Sequence, residues 1–135
     1  MMNTEKFENV GINLNTINDC FGGNEEIYFK FLKKFFDDRD YVEFNKLMLE
    51  ARYEEAFNSA HAIKGLTGNL GMTKIYEYLV IIVEKIRNSN FDEIDIIYAR
   101  CKLECDRLEY LLKQESKSED YYDKRHYTSC GWQRS

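Results

Sequence analysis

The residue in this sequence best suited to covalent chemistry is His61, which has a lysine and two glycines close to it in the chain. Lys64 follows His61 by three residues, Gly65 by four and Gly68 by seven. A neutral imidazole is a nucleophile near neutral pH, and an ammonium group one helical turn away can reach an anion attached to the ring. Each glycine inside a helix costs roughly 0.5–1 kcal/mol relative to alanine. The spacing therefore predicts a nucleophilic histidine that another molecule approaches closely.

The segment around the histidine reads as an amphipathic helix over about residues 54–70, with Gly71 as its C-terminal stop. Its core-facing stripe has the alternating spacing of four and three residues that is typical of a helix, and comprises Ala56, Ala60, Ile63, Thr67 and Leu70. On ideal helix geometry, His61 lies roughly 140° from the centre of that stripe, Gly65 roughly 180° and Gly68 roughly 120°. The pattern predicts an exposed histidine with both glycines on the same face.

Each residue near the histidine also has an ordinary structural explanation, which stays open at this point. Lys64 could be a solubilising surface charge, and Gly68 could belong with Gly71 to the end of the helix. Phe57, roughly 100° from the core centre on the same helical wheel, could dock a partner, although packing at the edge of the fold is the simpler interpretation. Only the combination of these residue types on one exposed face favours a function.

The hydrophobic spacing elsewhere predicts an all-α domain. Proline is absent from the 135 residues, and 44% of the residues are hydrophobic, which is enough for a packed core. Two N-terminal helices come first, the second of them capped by Asn24, and four longer helices with short links follow, with Thr73 capping the fifth helix of the chain. Short links make neighbouring helices antiparallel. We therefore expect an up-down antiparallel four-helix bundle with two additional N-terminal helices.

Three stretches of the chain differ in character. Residues 1–12 read as a lead-in, residues 13–114 as the bundle domain, and residues 115–135 as a polar tail that lacks helical periodicity. A polar segment of mixed charge cannot bury enough apolar surface to offset its conformational entropy, so we expect the tail to be mobile.

The composition argues against several classes of protein. The net charge is −5 and the isoelectric point is about 5.1, whereas a nucleic-acid-binding domain normally carries a basic patch. No apolar run approaches the roughly 18 residues that span a bilayer, and no signal-peptide pattern is present. We therefore expect a cytoplasmic protein whose four cysteines are reduced. Neither a phosphate-binding loop nor a kinase glycine-rich loop occurs, so no nucleotide site is predicted.

A metal-binding helical bundle is an alternative function that can be checked against the sequence directly. Di-iron bundles use Glu-x-x-His pairs on facing helices, but the residue three before His61 is Asn58. In the tail, Asp123, His126 and Cys130 have a spacing that leaves a metal site there as a remote alternative. We predict that the chain binds neither a metal ion nor a cofactor of its own.

The segment 60–71, AHAIKGLTGNLG, resembles the signature of the histidine phosphotransfer (HPt) domains of multistep phosphorelays. Those domains carry Ala-His-x-Leu-Lys-Gly and then Gly-Asn-Leu-Gly at the same offset. Ile63 stands where leucine is commoner, and the pair Leu66-Thr67 stands where small residues are frequent. The resemblance covers about residues 10–113, and it is specific around the histidine and generic elsewhere.

The resemblance implies a role for each residue of the motif. His61 is the phosphoacceptor, and Lys64 stabilises the transferred phosphoryl group. By the same resemblance, four residues allow a partner to approach and shape the end of the helix: Gly65, Gly68, Asn69 and Gly71.

The resemblance also implies the partners. The phosphoryl donor is an aspartyl phosphate on a receiver domain, which supplies Mg²⁺ and a lysine of its own, and the protein relays the group to another receiver. The expected partners are response-regulator receiver domains, a hybrid histidine kinase, or both. The chain is then a phosphocarrier rather than an enzyme. We expect a monomer, because a dimer that buried the His61 face would block the relay.

Two further functions remain open from the sequence. A related bundle could bind a receiver and sequester it without transferring phosphate, although an intact His61 and Lys64 argue against this. The same chemistry also occurs in the N-terminal phosphoacceptor domain of chemotaxis-type kinases, in which case this chain would be a fragment of a longer protein.

Overall fold

The structure is a computed structural model, and it describes the backbone of residues 4–129 and the side chains of residues 5–114. The elements of secondary structure found in that part of the chain are all α-helices, with no strand among them, which confirms the predicted all-α class. In chain order they are α1 Thr4–Asn9, α2 Asn15–Phe21, α3 Glu25–Phe35, α4 Arg39–Leu49, α5 Phe57–Asn69, α6 Thr73–Arg87 and α7 Ile94–Ser129.

The last four helices form the bundle, in which each helix packs on the next one along the chain. At one end of the α5–α6 pair Gly68 lies against Tyr76, and at the other end Arg87 lies over the ring of Phe57. Residue numbers therefore rise along α5 as they fall along α6, and the two helices are antiparallel.

The last helix of the bundle packs on both α6 and α4. Lys74, near the start of α6, pairs with Glu104 of α7 at 3.4 Å. The hydroxyl of Tyr98 on α7 donates to Oδ1 of Asn45 on α4 at 2.7 Å, and its ring lies 5.5 Å from that of Phe44. Because α7 contacts α4 and α6 whereas α5 packs between the same two helices, α5 and α7 lie at opposite corners. The order is that of an up-down bundle.

The core lies between these helices and is made of fully buried apolar side chains. Each side chain of this size stabilises the fold by roughly 1.5–3 kcal/mol when it is buried. The core includes Phe44, Ile63, Ile75, Leu79, Ile82, Ile94 and Leu108. The stripe predicted on the histidine-bearing helix is confirmed, because all five of its members are buried: Ala56, Ala60, Ile63, Thr67 and Leu70.

The ends of several helices follow the predicted signals, and others do not. The side chain of Asn24 accepts the amide of Ile27 at 3.1 Å, as expected of a cap. Thr73 is wrong as a cap, since it is the first residue of α6 and no side chain caps that helix. The histidine-bearing helix begins at Phe57 rather than near Glu54, because residues 53–56 form turns.

The lead-in contains a helix that the sequence did not predict, α1, which makes three N-terminal helices instead of two. Phe7 explains it, because its side chain is fully buried and its ring lies 4.9 Å from that of Phe29 on α3. Further on, Ile12 and Met72 form an isolated β-bridge. The amide of Asn13 donates to the carbonyl of Gly71 at 2.8 Å. The lead-in is thereby tied to the turn between α5 and α6.

The C-terminal part of the chain continues α7 as helix to Ser129, through most of the stretch that the sequence assigns to a polar tail. The side chains beyond residue 114, and residues 130–135 altogether, lie outside the part that the structure describes. Among the described helices, none is both long enough and apolar enough to cross a membrane.

Candidate functional site

The imidazole of His61 is exposed on the second turn of α5, on the side of the helix away from the core, as the helical wheel predicts. Its ring centroid lies 6.0 Å from that of Phe57, one turn earlier, with the two planes inclined by 32°. Aromatic rings at this separation and tilt attract each other. No hydrogen bond to the imidazole is found among the described residues, so both ring nitrogens remain available for chemistry.

Lys64 lies three residues after the histidine on the same helix and is half-buried. Within residues 5–114 its ammonium group has no carboxylate partner, in contrast to Lys74, Lys102 and Lys113, which all form ion pairs. A lysine stem that lies along the protein surface keeps its charged head in water. The cation is thus one turn from the imidazole and has no competing anion in the described part of the chain.

Gly65 opens the surface beside the histidine. It is exposed, and a Cβ atom built at this position would have no neighbour within 4 Å. Its backbone is helical, so no unusual dihedral angle requires glycine either. The fold therefore gives no reason for a glycine at this position, and the remaining effect of the missing side chain is closer access to the helix.

Gly68 differs from Gly65, because it has a packing role of its own. A Cβ atom there would lie 3.2 Å and 3.3 Å from two ring carbons of Tyr76 on α6. That separation is tighter than ordinary van der Waals contact, so the ring would have to shift. The glycine lets the ring of Tyr76 lie close against α5, and any benefit for an approaching partner comes in addition to this contact.

The end of the helix is held by Gly71. Its φ of +71° favours glycine, and a Cβ atom would overlap the hydroxyl oxygen of Thr16 on α2. Asn69 is the last residue of α5 and is exposed. Nearby, the buried hydroxyl of Tyr28 donates to the carbonyl of Leu70 at 2.6 Å. The predicted shaping of the helix end therefore has a physical basis at Gly71, whereas no described contact gives Asn69 a comparable part.

Arg87 is a site residue that the sequence did not indicate. Its guanidinium carbon lies 5.4 Å from the ring centroid of Phe57, and the same group pairs with the carboxylate of Glu84. Arg87 is the last residue of α6, 26 residues after His61 in the chain. Only the antiparallel packing of α5 and α6 brings it to this place, so no local sequence signal could have identified it.

No metal centre is found in the described part of the chain, where no three His, Cys, Asp or Glu side chains lie close enough to hold an ion. The group Asp123, His126 and Cys130 lies beyond the described side chains. Cys101 and Cys105 are free and buried on the core side of α7. The pKa of the Cys101 thiol is raised, mainly by a hydrogen bond with Cys105 and secondly by burial. The thiol therefore stays protonated and unreactive.

Comparison of the chain with protein-family models, with curated proteins and with solved structures finds no match. The geometry around His61 and the motif in the sequence are therefore the observations from which a function is inferred.

Proposed function

We propose that this chain is a histidine phosphotransfer protein, which accepts a phosphoryl group on His61 from the aspartyl phosphate of one receiver domain and passes it to another. One arrangement carries the proposal. The imidazole of His61 is exposed, the ammonium of Lys64 one turn further on has no carboxylate partner among residues 5–114, and the surface at Gly65 is open. The resemblance of segment 60–71 to the HPt signature and the helical bundle agree with it.

The reaction asks little covalent help of the protein. Phosphoryl transfer depends mainly on positioning the reacting atoms in line and on neutralising charge. The lone pair of an imidazole nitrogen of His61 forms the new N–P bond while the P–O bond to the aspartate breaks. The carboxylate leaves, and the other ring nitrogen keeps its proton. Transfer to the next receiver is the same exchange in reverse.

Lys64 has a defined part in this exchange. A phosphoryl group on the ring carries negative charge, and a lysine three residues away on a helix is within reach of it. Because no described carboxylate binds Lys64, the ammonium gives up no existing ion pair when the phosphoryl group arrives. Its positive charge stabilises the phosphorylated form and the transition state that leads to it.

The partner supplies the rest of the chemistry. A receiver domain brings the aspartyl phosphate and, by the resemblance, a Mg²⁺ ion that neutralises the phosphoryl oxygens during transfer. Close approach is required, since the attacking nitrogen and the phosphorus must come within about 3–3.5 Å of each other. The absence of a side chain at Gly65 allows that approach beside His61. The complex should be transient, with a modest interface.

Phosphotransfer from receiver domains is the test of this proposal. Receivers phosphorylated with ³²P are mixed with the intact chain, with His61→Gln and with His126→Gln, which removes the one other histidine of the sequence. We expect acid-labile, base-stable label on the intact chain and on the His126→Gln variant, and none on His61→Gln. Label that survives in His61→Gln would overturn the assignment of His61.

The same experiment separates transfer from sequestration. A module that only sequesters a receiver binds it without taking up label, so binding is measured in parallel by calorimetry with the same receivers. Tight binding by both the intact chain and His61→Gln, without label on either, would replace the phosphocarrier by the sequestering module.

A further inference from the structure

We propose that Phe57 is a positioning residue for the His61 imidazole, and that Arg87 holds the Phe57 ring in place. This inference rests on the proposed function, because positioning matters only if His61 is phosphorylated. The contact between the two rings can be tested independently of that function. The sequence suggests for Phe57 only packing at the bundle edge or docking of a partner. Contact with the reactive ring is a different role.

The imidazole needs a positioning residue because hydrogen bonds do not fix it. No described residue donates to or accepts from either ring nitrogen of His61. An exposed imidazole whose ring is otherwise unrestrained rotates about its terminal side-chain torsion, which has broad, roughly two-fold minima. The contact with Phe57, at 6.0 Å between centroids, is therefore the described interaction that can favour one ring orientation. A contact of this kind favours it by about 2- to 10-fold.

The ring of Phe57 is itself held from the neighbouring helix. The guanidinium of Arg87 lies 5.4 Å from the centre of the ring, a distance at which a cation is attracted to the face of an aromatic ring. Arg87 is in turn paired with Glu84, three residues earlier on α6. A continuous series of contacts thus leads from the end of α6, across the start of α5, to the imidazole.

The consequence concerns the two ring nitrogens of His61. They differ in position, so the orientation of the ring decides which of them faces an incoming phosphorus atom. A flip of the imidazole by about 180° exchanges the ring edge that faces Phe57. Because the two planes are inclined by 32°, the two orientations make different contacts, so a ring held against Phe57 presents one nitrogen preferentially and a free ring presents both. We therefore infer that Phe57 makes phosphorylation of His61 selective for one nitrogen.

A small phosphodonor tests this without any partner protein. Phosphoramidate transfers its phosphoryl group to imidazole: the lone pair of one ring nitrogen forms a new N–P bond, the N–P bond of the donor breaks, and the donor nitrogen leaves as ammonia while the other ring nitrogen keeps its proton. The full chain is labelled with phosphoramidate, and the two phosphohistidine isomers at His61 are measured by ¹H–¹⁵N and ³¹P NMR. The variants are Phe57→Leu, Phe57→Tyr and Arg87→Met, with Phe91→Leu as the matched control.

The control is matched because Phe91, in the link between α6 and α7, is another half-buried aromatic residue, and its ring lies 5.6 Å from that of Tyr53 in the α4–α5 link. We expect one isomer to predominate in the intact chain, in Phe57→Tyr and in Phe91→Leu. In Phe57→Leu the ratio of isomers should move towards unity by about 2- to 10-fold, and in Arg87→Met by less. Unchanged isomer ratios in Phe57→Leu would overturn the proposal, and a loss only of receiver-dependent transfer would make Phe57 a docking residue instead.

A second measurement keeps the two proposals distinguishable. Protons of the His61 ring that lie near the face of Phe57 have shifted NMR resonances, and Phe57→Leu should remove that shift while Phe57→Tyr keeps it. This readout requires no phosphorylation. If no receiver transfers label yet the shift and the isomer ratio respond as expected, the phosphorelay function fails and the positioning role stands. An absent shift in the intact chain contradicts the positioning role whatever the receivers do.

Discussion

The ring of Tyr76 on α6 lies against Gly68 on α5, with two ring carbons 3.2 Å and 3.3 Å from the place a Cβ atom would occupy. The neighbouring glycine of the motif, Gly65, has nothing within 4 Å. Two glycines that look alike in the sequence therefore serve different purposes. One allows two helices to pack closely, and the other leaves the surface open beside His61.

Alanine substitutions should separate the two glycines. Gly65→Ala should raise the free energy of unfolding by about 0.5–1 kcal/mol, because alanine favours a helix and meets no neighbour. In Gly68→Ala the same gain is offset by the displaced ring of Tyr76, so this variant should be less stable than Gly65→Ala. Urea denaturation of both variants measures the difference, and equal stability of the two would contradict the distinction.

A larger side chain at the open glycine tests access to the histidine. Gly65→Gln should lower transfer from a phosphorylated receiver by about 10-fold or more. The side chain hinders the approach of the receiver, and a rise of about 1.4 kcal/mol in the activation free energy gives a tenfold lower rate. Labelling by phosphoramidate should stay unchanged, because the small donor needs no room for a protein. A loss in both assays would mean that the substitution disturbs His61 itself.

The charge at Lys64 should matter for the transferred phosphoryl group and little for the fold. Lys64→Ala should slow transfer to His61 by about 10- to 150-fold, since a hydrogen bond to a charged group contributes roughly 1.5–3 kcal/mol. Lys64→Arg should keep most of the rate. The control is Lys113→Ala, which removes an exposed lysine of α7, the helix at the opposite corner from α5. Equal rates for Lys64→Ala and Lys113→Ala would reduce Lys64 to a surface charge.

The turn after α5 should be sensitive to substitution at Gly71. This residue has a positive φ, and a Cβ atom there would overlap Thr16, so Gly71→Ala should cost about 2–5 kcal/mol of stability. Gly22→Ala is the matched control, because Gly22 also has a positive φ of +58° but nothing within 4 Å. It should cost about 1–2 kcal/mol. Chemical denaturation of both variants gives the comparison, and equal losses would show that the Thr16 contact is unimportant.

Three buried tyrosines should make the fold less stable at alkaline pH. Burial is the main cause that raises the pKa of Tyr28, Tyr41 and Tyr98 above its ordinary value near 10. In the unfolded chain these phenols lose their protons first, so the free energy of unfolding is fully retained below about pH 9 and falls as pH rises above 10. Each phenol contributes a slope of up to about 1.4 kcal/mol per pH unit.

Urea denaturation at several values between about pH 8 and pH 11 measures this slope. Tyr28→Phe should make the slope shallower and, because the hydrogen bond to Leu70 is lost, should also lower stability at neutral pH by about 0.5–1.5 kcal/mol. A slope that does not change in Tyr28→Phe would contradict the assigned role of that buried phenol.

Periodicity predicts the parts of this fold that depend on local pattern. The core stripe of α5, the exposed position of His61 and the cap at Asn24 all follow from residue spacing and from the chemistry of helix ends. The lead-in was harder, because α1 is only six residues long and is held by tertiary burial of Phe7. A helix of that length has too little pattern of its own to be recognised.

The candidate site divides in the same way. His61, Lys64 and Gly65 share one helix, so their relative positions can be worked out from the sequence. The contact of Arg87 with the ring of Phe57 depends on the packing of α5 against α6. The packing role of Gly68 depends on where Tyr76 lies. Contacts between residues that are distant in the chain follow from how the bundle closes, which spacing along one helix does not specify.

The most direct test of the phosphocarrier role follows the phosphoryl group both on to and off His61. The chain is first labelled on His61 by a ³²P-phosphorylated receiver, then separated and mixed with a second, unphosphorylated receiver and Mg²⁺. We expect the acid-labile label to leave this chain and to appear on the second receiver, and neither step to occur with His61→Gln. Label that stays on this chain with every receiver offered, or that never arrives while the receivers bind, would contradict the relay.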